Sequence, residues 1–250
     1  MPPPAAASLS AASDPLVGFR AAAFADEARS SGRRESADRV TELNRTHDMA
    51  GMRARGGRLV RAIEERRRRL VASRVLRCSP RVVVDVGCED GWIAEAYAAP
   101  GRETVLVDLD PAMLERAAAK GLPGVRTLVG AATDPTLLPP GTADVLVLSA
   151  ILEHVEEPWR VLQAMVPVLR PPGRVVAYVP ADGPILVAKG ILRWTGLSRL
   201  VPGVSLDPAP GHVRRFDRAQ FARLLAPFGV IEEIEFDPAV LGYAATVRVG

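Results

Sequence analysis

Short apolar runs alternate along this chain with stretches whose apolar residues return at helical spacing, and from Arg81 onward that alternation sets the architecture. The β-branched run Val82-Val83-Val84-Asp85-Val86 breaks into the turn Gly87-Cys88-Glu89-Asp90-Gly91, after which Trp92, Ile93, Ala96 and Tyr97 recur on one helical face. This predicts a buried parallel strand, a tight turn and a helix over 91–98. A second strand is predicted over 104–108. Asp110-Pro111 then opens a helix, an acid capping it and a proline filling its first turn, and Gly121 closes it after Lys120. Further apolar runs predict strands over 125–129, 143–149 and 174–179, with a helix over 158–169 ahead of the turn Pro171-Pro172-Gly173. A last helix is expected over 217–226, followed by two apolar segments, 230–236 and 240–249. Strands alternating with helices in this way describe a parallel sheet covered on both faces.

Two regions stand outside that rhythm. Residues 1–40 are rich in Pro, Ala, Ser and Arg and read as a flexible tail, whereas 41–80 carry Leu59, Val60, Ile63, Leu70, Val71 and Val75 at helical spacing and read as an N-terminal helical extension. The domain proper is assigned to 81–250. Inside it, 183–211 interrupts the passage from the fifth strand to the last helix with a conspicuously apolar stretch, punctuated by Lys189, Arg193 and Arg199. Insertions of this kind shape substrate pockets, and a basic apolar segment with a tryptophan also suits a membrane interface. Pocket wall, peripheral membrane contact and extra core all stay open for it.

Composition narrows the picture only in part. A chain of 250 residues, 48% hydrophobic and 24% charged, has room for one α/β core and an appendage. Its two cysteines, Cys78 and Cys88, make no disulfide framework and lack metal-ligand spacing, so a reducing, cytoplasmic interior is the expectation. A net charge of +3 does not by itself imply nucleic acid, and the run Arg66 to Arg69 reads first as a solvated helix face. No apolar run is long enough to span a membrane.

The candidate chemistry gathers at the strand ends. Asp108 closes the second strand at the distance downstream where a ribose-binding carboxylate belongs, so the first two strands outline a nucleoside pocket. A dinucleotide fold would need Gly-x-Gly-x-x-Gly. Here Gly87 and Gly91 flank Glu89 and Asp90, two acids that would repel a pyrophosphate and suit a ligand carrying a sulfonium and an ammonium group.

With those residues in place, the motifs Val-Asp-Val-Gly-Cys-x-Asp-Gly, Val-Asp-Leu-Asp-Pro-x-Met-Leu and Leu-Glu-His-Val-x-x-Pro resemble the class I S-adenosylmethionine-dependent methyltransferases. The resemblance covers Arg81 to the C-terminus. It implies a Rossmann-like, doubly wound, seven-stranded and mostly parallel α/β sheet with an antiparallel last strand. It also implies a lid function for helices preceding the first strand, and S-adenosyl-L-methionine as cofactor. By resemblance Asp85 supports the loop and the ligand's amino group, Gly87 and Gly91 allow close approach, and Asp108 takes the ribose. Cys88, Glu89, Leu109, Ala132 and Ser149 join the cofactor set. Ala131 stands where an adenine-binding acid is expected, which passes that role to backbone groups or, by a shift of register, to Asp134.

A hydroxyl acceptor needs a base, and the chain holds only three histidines. Glu153 and His154 lie just past the fourth strand and His212 follows the insertion, which makes all three the catalytic candidates. These segments further resemble quinone-type O-methyltransferases. Some of those hold a metal with a further Glu, whose place is taken here by Ala150, so no metal is expected. The acceptor is read as a small hydrophobic or aromatic molecule methylated at oxygen. A membrane-associated lipid or quinone methyltransferase and a non-catalytic binding module are the alternatives. Nucleic acid is disfavoured, because Ser149-Ala150-Ile151-Leu152 replaces the Asn/Asp-Pro-Pro-aromatic signature of amino-methylating enzymes.

Overall fold

The structure, a computed structural model, describes residues 57–196 and 212–250. The tail assigned to 1–40, the first part of the helical extension and residues 197–211 of the insertion lie outside the described residues. Helix α1 (Arg58–Arg77) precedes the sheet. Then follow β1 (Val82–Val86), β2 (Glu103–Asp108), α2 (Pro111–Ala119), β3 (Val125–Val129), β4 (Ala143–Ser149), α3 (Pro158–Met165) and β5 (Leu169–Pro180). The chain closes with α4 (Asp182–Thr195), α5 (Arg218–Leu225), β6 (Val230–Asp237) and β7 (Gly242–Val249).

The seven strands form one sheet in the order β3-β2-β1-β4-β5-β7-β6, with β1 to β5 parallel and β7 antiparallel to both of its neighbours. Central strands are buried almost throughout, as expected where both faces are covered, while β3 at one edge is half-exposed. This is the predicted Rossmann-like sheet with its antiparallel last strand. Strand order reverses between β1 and β4, so a crevice opens at their carboxyl ends. Asp110 caps α2 by accepting from the Ala112 amide at 2.9 Å, as its position before Pro111 predicts.

Three expectations of secondary structure are corrected. The helix expected over 91–98 is a single 3-10 turn, Ala94–Ala96. Only the residues after Gly87 and before Glu103 are available there. Pro100 disfavours helix at the residue before it, and Trp92, Ile93, Ala94 and Tyr97 all turn toward the interior, leaving Glu95 as almost the whole polar face. The helix expected over 158–169 ends at Met165 and tightens into a 3-10 turn, Val166–Val168. Leu169 already belongs to β5, so Pro171-Pro172-Gly173 lies inside that strand as an irregularity in its pairing with β4.

Helix α1 packs against β4, β5, β7 and the 94–96 turn. Its buried stripe runs Val60, Glu64, Arg67, Val71, Arg74 and so carries three charged residues. Arg74, 2% exposed, bonds Glu233 and Glu235 of β6 at 3.2 and 2.7 Å. Arg66 reaches Asp237 at 2.8 Å, and Arg68 stacks over Trp92 with its guanidinium 4.3 Å from the ring centre. The Arg66 to Arg69 run is therefore not simply a solvated face. It docks the helix.

Candidate active site

The crevice at the carboxyl ends of β1 and β4 is a pocket assembled from four pieces of chain. Strand β1 and its turn supply Asp85, Gly87, Cys88 and Glu89, and the following segment adds Trp92 and Ile93. Ser149 comes from the end of β4, and Arg67 reaches in from α1. The two glycines of the turn have different reasons to be there. Both sit at positive φ, +70° and +72°. A Cβ at Gly87 would come within 2.8 Å of Ile151 beside the pocket, whereas one at Gly91 would press on Leu106 and Ala117 in the core. Gly91 thus serves turn and packing, and it is not among the lining residues. Glu89 and Ala150, although not glycine, also take positive φ, 52° and 58°, so the turns after β1 and β4 are both held in an unfavourable backbone region at the pocket rim.

Two acids, Asp85 and Glu89, line the pocket, and Asp108 stands beside its turn. Asp85 is 2% exposed and accepts from the Tyr97 hydroxyl. Burial lifts its pKa to about 7, against the Tyr97 bond, with the charges of Asp108 and Glu89 lifting it further. Asp108 accepts from the amides of Glu89 at 2.9 Å and Asp110 at 3.0 Å, tying the β1 turn to the start of α2. Its pKa rises to about 6, through burial first, opposed by those two bonds and assisted by neighbouring acids. Each of its oxygens keeps a second lone pair for a ligand hydroxyl. Of the two acids in the turn, Glu89 lines the pocket, while Asp90 lies 3.2 Å from the Lys120 ammonium. Burial and the surrounding acids push the Cys88 thiol well up, which leaves it an inert wall.

Asp108 stands outside the lining itself and meets it through the Glu89 amide, and the remaining predicted cofactor residues are not brought into the lining either. Leu109 is half-buried beyond β2. Asp134 spends its Oδ1 on the amide and hydroxyl of Thr136, at 2.8 and 2.7 Å, so its carboxylate closes its own turn; Ala132 lies in the same loop.

Arg67, Trp92 and Ile93 line the pocket without having been predicted to, and Arg67 is the charged one among them. It is 8% exposed and pairs with Glu64 at 2.7 Å. Burial works against its charge, but Glu64, Glu89 and Glu153 outweigh it and hold the guanidinium ionised. The available signal was its place in the α1 stripe, spaced with Val60, Val71 and the other buried positions.

A second cluster sits beyond β4. The amides of Val213 and Arg214 donate to the Glu153 carbonyl at 2.9 and 3.1 Å, and this clamp brings His212 beside the short turn Leu152–His154. The rings of His154 and His212 meet edge to face, 5.2 Å between centres. Glu153 is 1% exposed, 4.0 Å from His154 Nε2. Burial raises its pKa, with both histidines and Arg67 pulling the other way. The three predicted catalytic residues therefore do converge. They offer ligand atoms within 4.8 Å of one another and so also have the makings of a metal site.

Sheet order, switch-point pocket and the acid-rich turn define a Rossmann-like methyltransferase architecture. Residues 84–177 match the model of a methyltransferase domain family. The chain is 30% identical over 135 residues to a ubiquinone biosynthesis O-methyltransferase of Xanthomonas campestris, covering 53% of this chain and 56% of that protein. It is 36% identical over 105 residues to an uncharacterized methyltransferase of Mycobacterium sp. (strain JLS), 42% of this chain and 41% of that one. The chain thus spans about half the length of the curated relatives it matches. A solved S-adenosylmethionine-dependent methyltransferase from Aquifex aeolicus shares the fold, with a TM-score of 0.54 and 15% identity over 73% of this chain and 93% of that one. By this domain match and this fold the chain is similar to the class I S-adenosylmethionine-dependent methyltransferases.

Proposed function

We propose that this protein transfers a methyl group from S-adenosyl-L-methionine to an oxygen of a small hydrophobic or aromatic acceptor. The observation that carries this reading is the charge layout of the pocket, a buried guanidinium sharing the lining with the buried Asp85 and the half-buried Glu89 at the switch point. An amino-acid end group requires that layout: Arg67 for the carboxylate, Asp85 and Glu89 for the ammonium. Arg67 Nε and Ser149 Oγ are both buried without a hydrogen-bond partner among the described residues, which supports a ligand between them. Asp108 would hold the ribose hydroxyls. When bound, the cofactor supplies an electrophilic methyl carbon on a sulfonium. The protein's own part is to align the acceptor oxygen and keep water away. Oxygen is favoured as the acceptor atom by the Glu153, His154 and His212 cluster, which offers bases for a hydroxyl proton.

Isothermal calorimetry with S-adenosylmethionine and S-adenosylhomocysteine tests the reading, followed by mass spectrometry of a phenol panel incubated with the methyl donor. Binding with a methyl ether product is expected. Absence of binding heat for both ligands would leave only the non-catalytic module.

A second reading adds a membrane surface. Among the described residues no helix is long and apolar enough to cross a membrane. On α4, however, Val187, Ile191 and Trp194 share one face and are 64%, 55% and 89% exposed, with Lys189 and Arg193 on the same helix. That pattern suits shallow insertion among anionic headgroups. None of 183–196 lines the pocket and only Asp182 of α4 is buried, which weighs against a pocket wall in this part of the insertion. Sedimentation with anionic vesicles, lost in Trp194→Asp, is the check.

A further inference from the structure

Asp182 belongs to no motif considered above, yet its carboxylate is 2% exposed at the first residue of α4. An acid there could serve the helix start. It does not: the N-cap position, Ala181, has no side-chain cap, and Asp182 Oδ1 instead lies 2.8 Å from His212 Nδ1. Its Oδ2 is buried without a partner among the described residues. A carboxylate withdrawn from water at that cost fixes whatever it faces.

We infer that Asp182 is a positioning residue for His212, and that the pair removes the proton of the acceptor hydroxyl. The inference rests on the methyl-transfer reading for its substrate, although the pairing itself does not. An ionised carboxylate against Nδ1 requires a hydrogen there, since the other tautomer would set two lone pairs against each other. Nε2 is then left as a bare lone pair. In the step, the hydroxyl O–H bond breaks with its electron pair kept on oxygen and its proton taken by Nε2. The oxygen forms the bond to the methyl carbon as the carbon–sulfur bond breaks, its pair remaining on sulfur. Imidazolium returns the proton to water past His154, whose side chain is 29% exposed.

The position is held from three sides. Asp182 comes from the start of α4, His154 and Glu153 from the turn after β4, and the Val213 and Arg214 amides clamp the His212 segment to that turn. The charged and titratable groups facing the ring are Asp182 and Lys189 from α4, and Glu153 and His154 from the turn. Burial disfavours the imidazolium, but the Asp182 bond and the Glu153 and Asp182 charges more than offset burial and Lys189, so its pKa stands above the ordinary histidine value.

The deciding experiment is nitrogen-15 NMR of the histidine rings in the full chain at pH 8, which needs no acceptor. Nδ1–H with bare Nε2 is expected for His212, moving to a tautomer mixture in Asp182→Asn. An Nε2–H ring in the wild type, or identical spectra in the variant, would overturn the proposal. So would saturable shifts of both His154 and His212 with micromolar zinc, which would make the cluster a metal centre. With catechol as acceptor, Asp182→Asn should lose on the order of 100-fold in kcat, as for other displaced general bases. Its rising pH limb should move to lower pH, Asp182→Glu should restore part of the rate, and His212→Gln should lose the limb altogether. S-adenosylmethionine affinity by calorimetry should not change in any of these. A wild type that binds no S-adenosylmethionine would instead sink the methyl-transfer reading, and the tautomer result would stand apart from it.

Discussion

The turns after β1 and β4 sit side by side at the same end of the sheet, yet they are built in opposite ways. The β1 turn is almost one contiguous motif: Asp85, Gly87, Cys88 and Glu89 come within five residues, and the end of β2 ties the loop, the Val107 carbonyl accepting the Gly87 and Cys88 amides and Asp108 the Glu89 amide. Beside β4 the groups that matter come from Glu153 and His154, from Asp182 and from His212, three segments joined by backbone clamps and one carboxylate–imidazole bond. Local chain geometry makes the first region. Tertiary packing makes the second, and Arg67 links them, feeling the charges of both Glu89 and Glu153.

The sharpest way to break this comparison is at the link. Arg67→Met should strand Glu64 in a buried site and destabilise the fold by roughly 3–5 kcal/mol, the cost of breaking a buried pair. It should also weaken S-adenosylmethionine binding about 10- to 100-fold, as for a lost charge-assisted bond. Combining it with Glu64→Gln should recover stability in thermal melts without recovering affinity. Recovery of both would mean that Arg67 only packs.

Asp108→Ala should come next, lowering cofactor affinity by about 10-fold or more through loss of hydrogen bonds worth about 1.5–3 kcal/mol each for a charged acceptor. The tautomer of His212 should not move, because the two regions are tied by different parts of the chain. Unchanged calorimetric affinity in this variant would remove the ribose role.

Asp85 offers a pH test. Its folded pKa of about 7 lies above the ordinary value near 4, so the native state holds a proton that the unfolded chain has released between those limits. The stabilisation is full below about pH 4 and is lost as pH rises through 7, at up to about 1.4 kcal/mol per unit. Asp85→Asn, which still accepts from Tyr97, should flatten urea-derived stability across that window. A slope as steep as in the wild type would reassign the proton to another group. Asp85 must ionise to face an ammonium, so cofactor affinity should also be weaker at pH 5.5 than at pH 8.

Smallest of all should be Trp194→Asp, an exposed position where the melting free energy should stay within about 0.5 kcal/mol. Catechol methylation should be unaffected and only vesicle binding should change.

Legibility followed the same division. Strand β4 was readable to the residue, because a buried strand needs a nearly continuous apolar run and nothing distant edits it, and the half-exposed edge strand β3 also kept its expected bounds. The helix expected after Gly91 was not, since periodicity cannot show that its apolar residues are all drawn inward across too short a connection. His154 and His212 were found by residue type. Asp182 was not, because an acid at a helix start looks like a cap until the fold delivers a histidine to it.

What the sequence alone determined is the sheet, its order of strand and turn, and the acids at the ends of β1 and β2, all consequences of local pattern. What the tertiary structure decided is which charges are buried and whom they face: Arg67 turned into the pocket, Asp134 kept in its own turn, Asp182 set against His212. The physical reason is range. Apolar periodicity and turn chemistry act over a few residues, whereas a buried ion pair exists only once elements far apart in the chain have removed both partners from water.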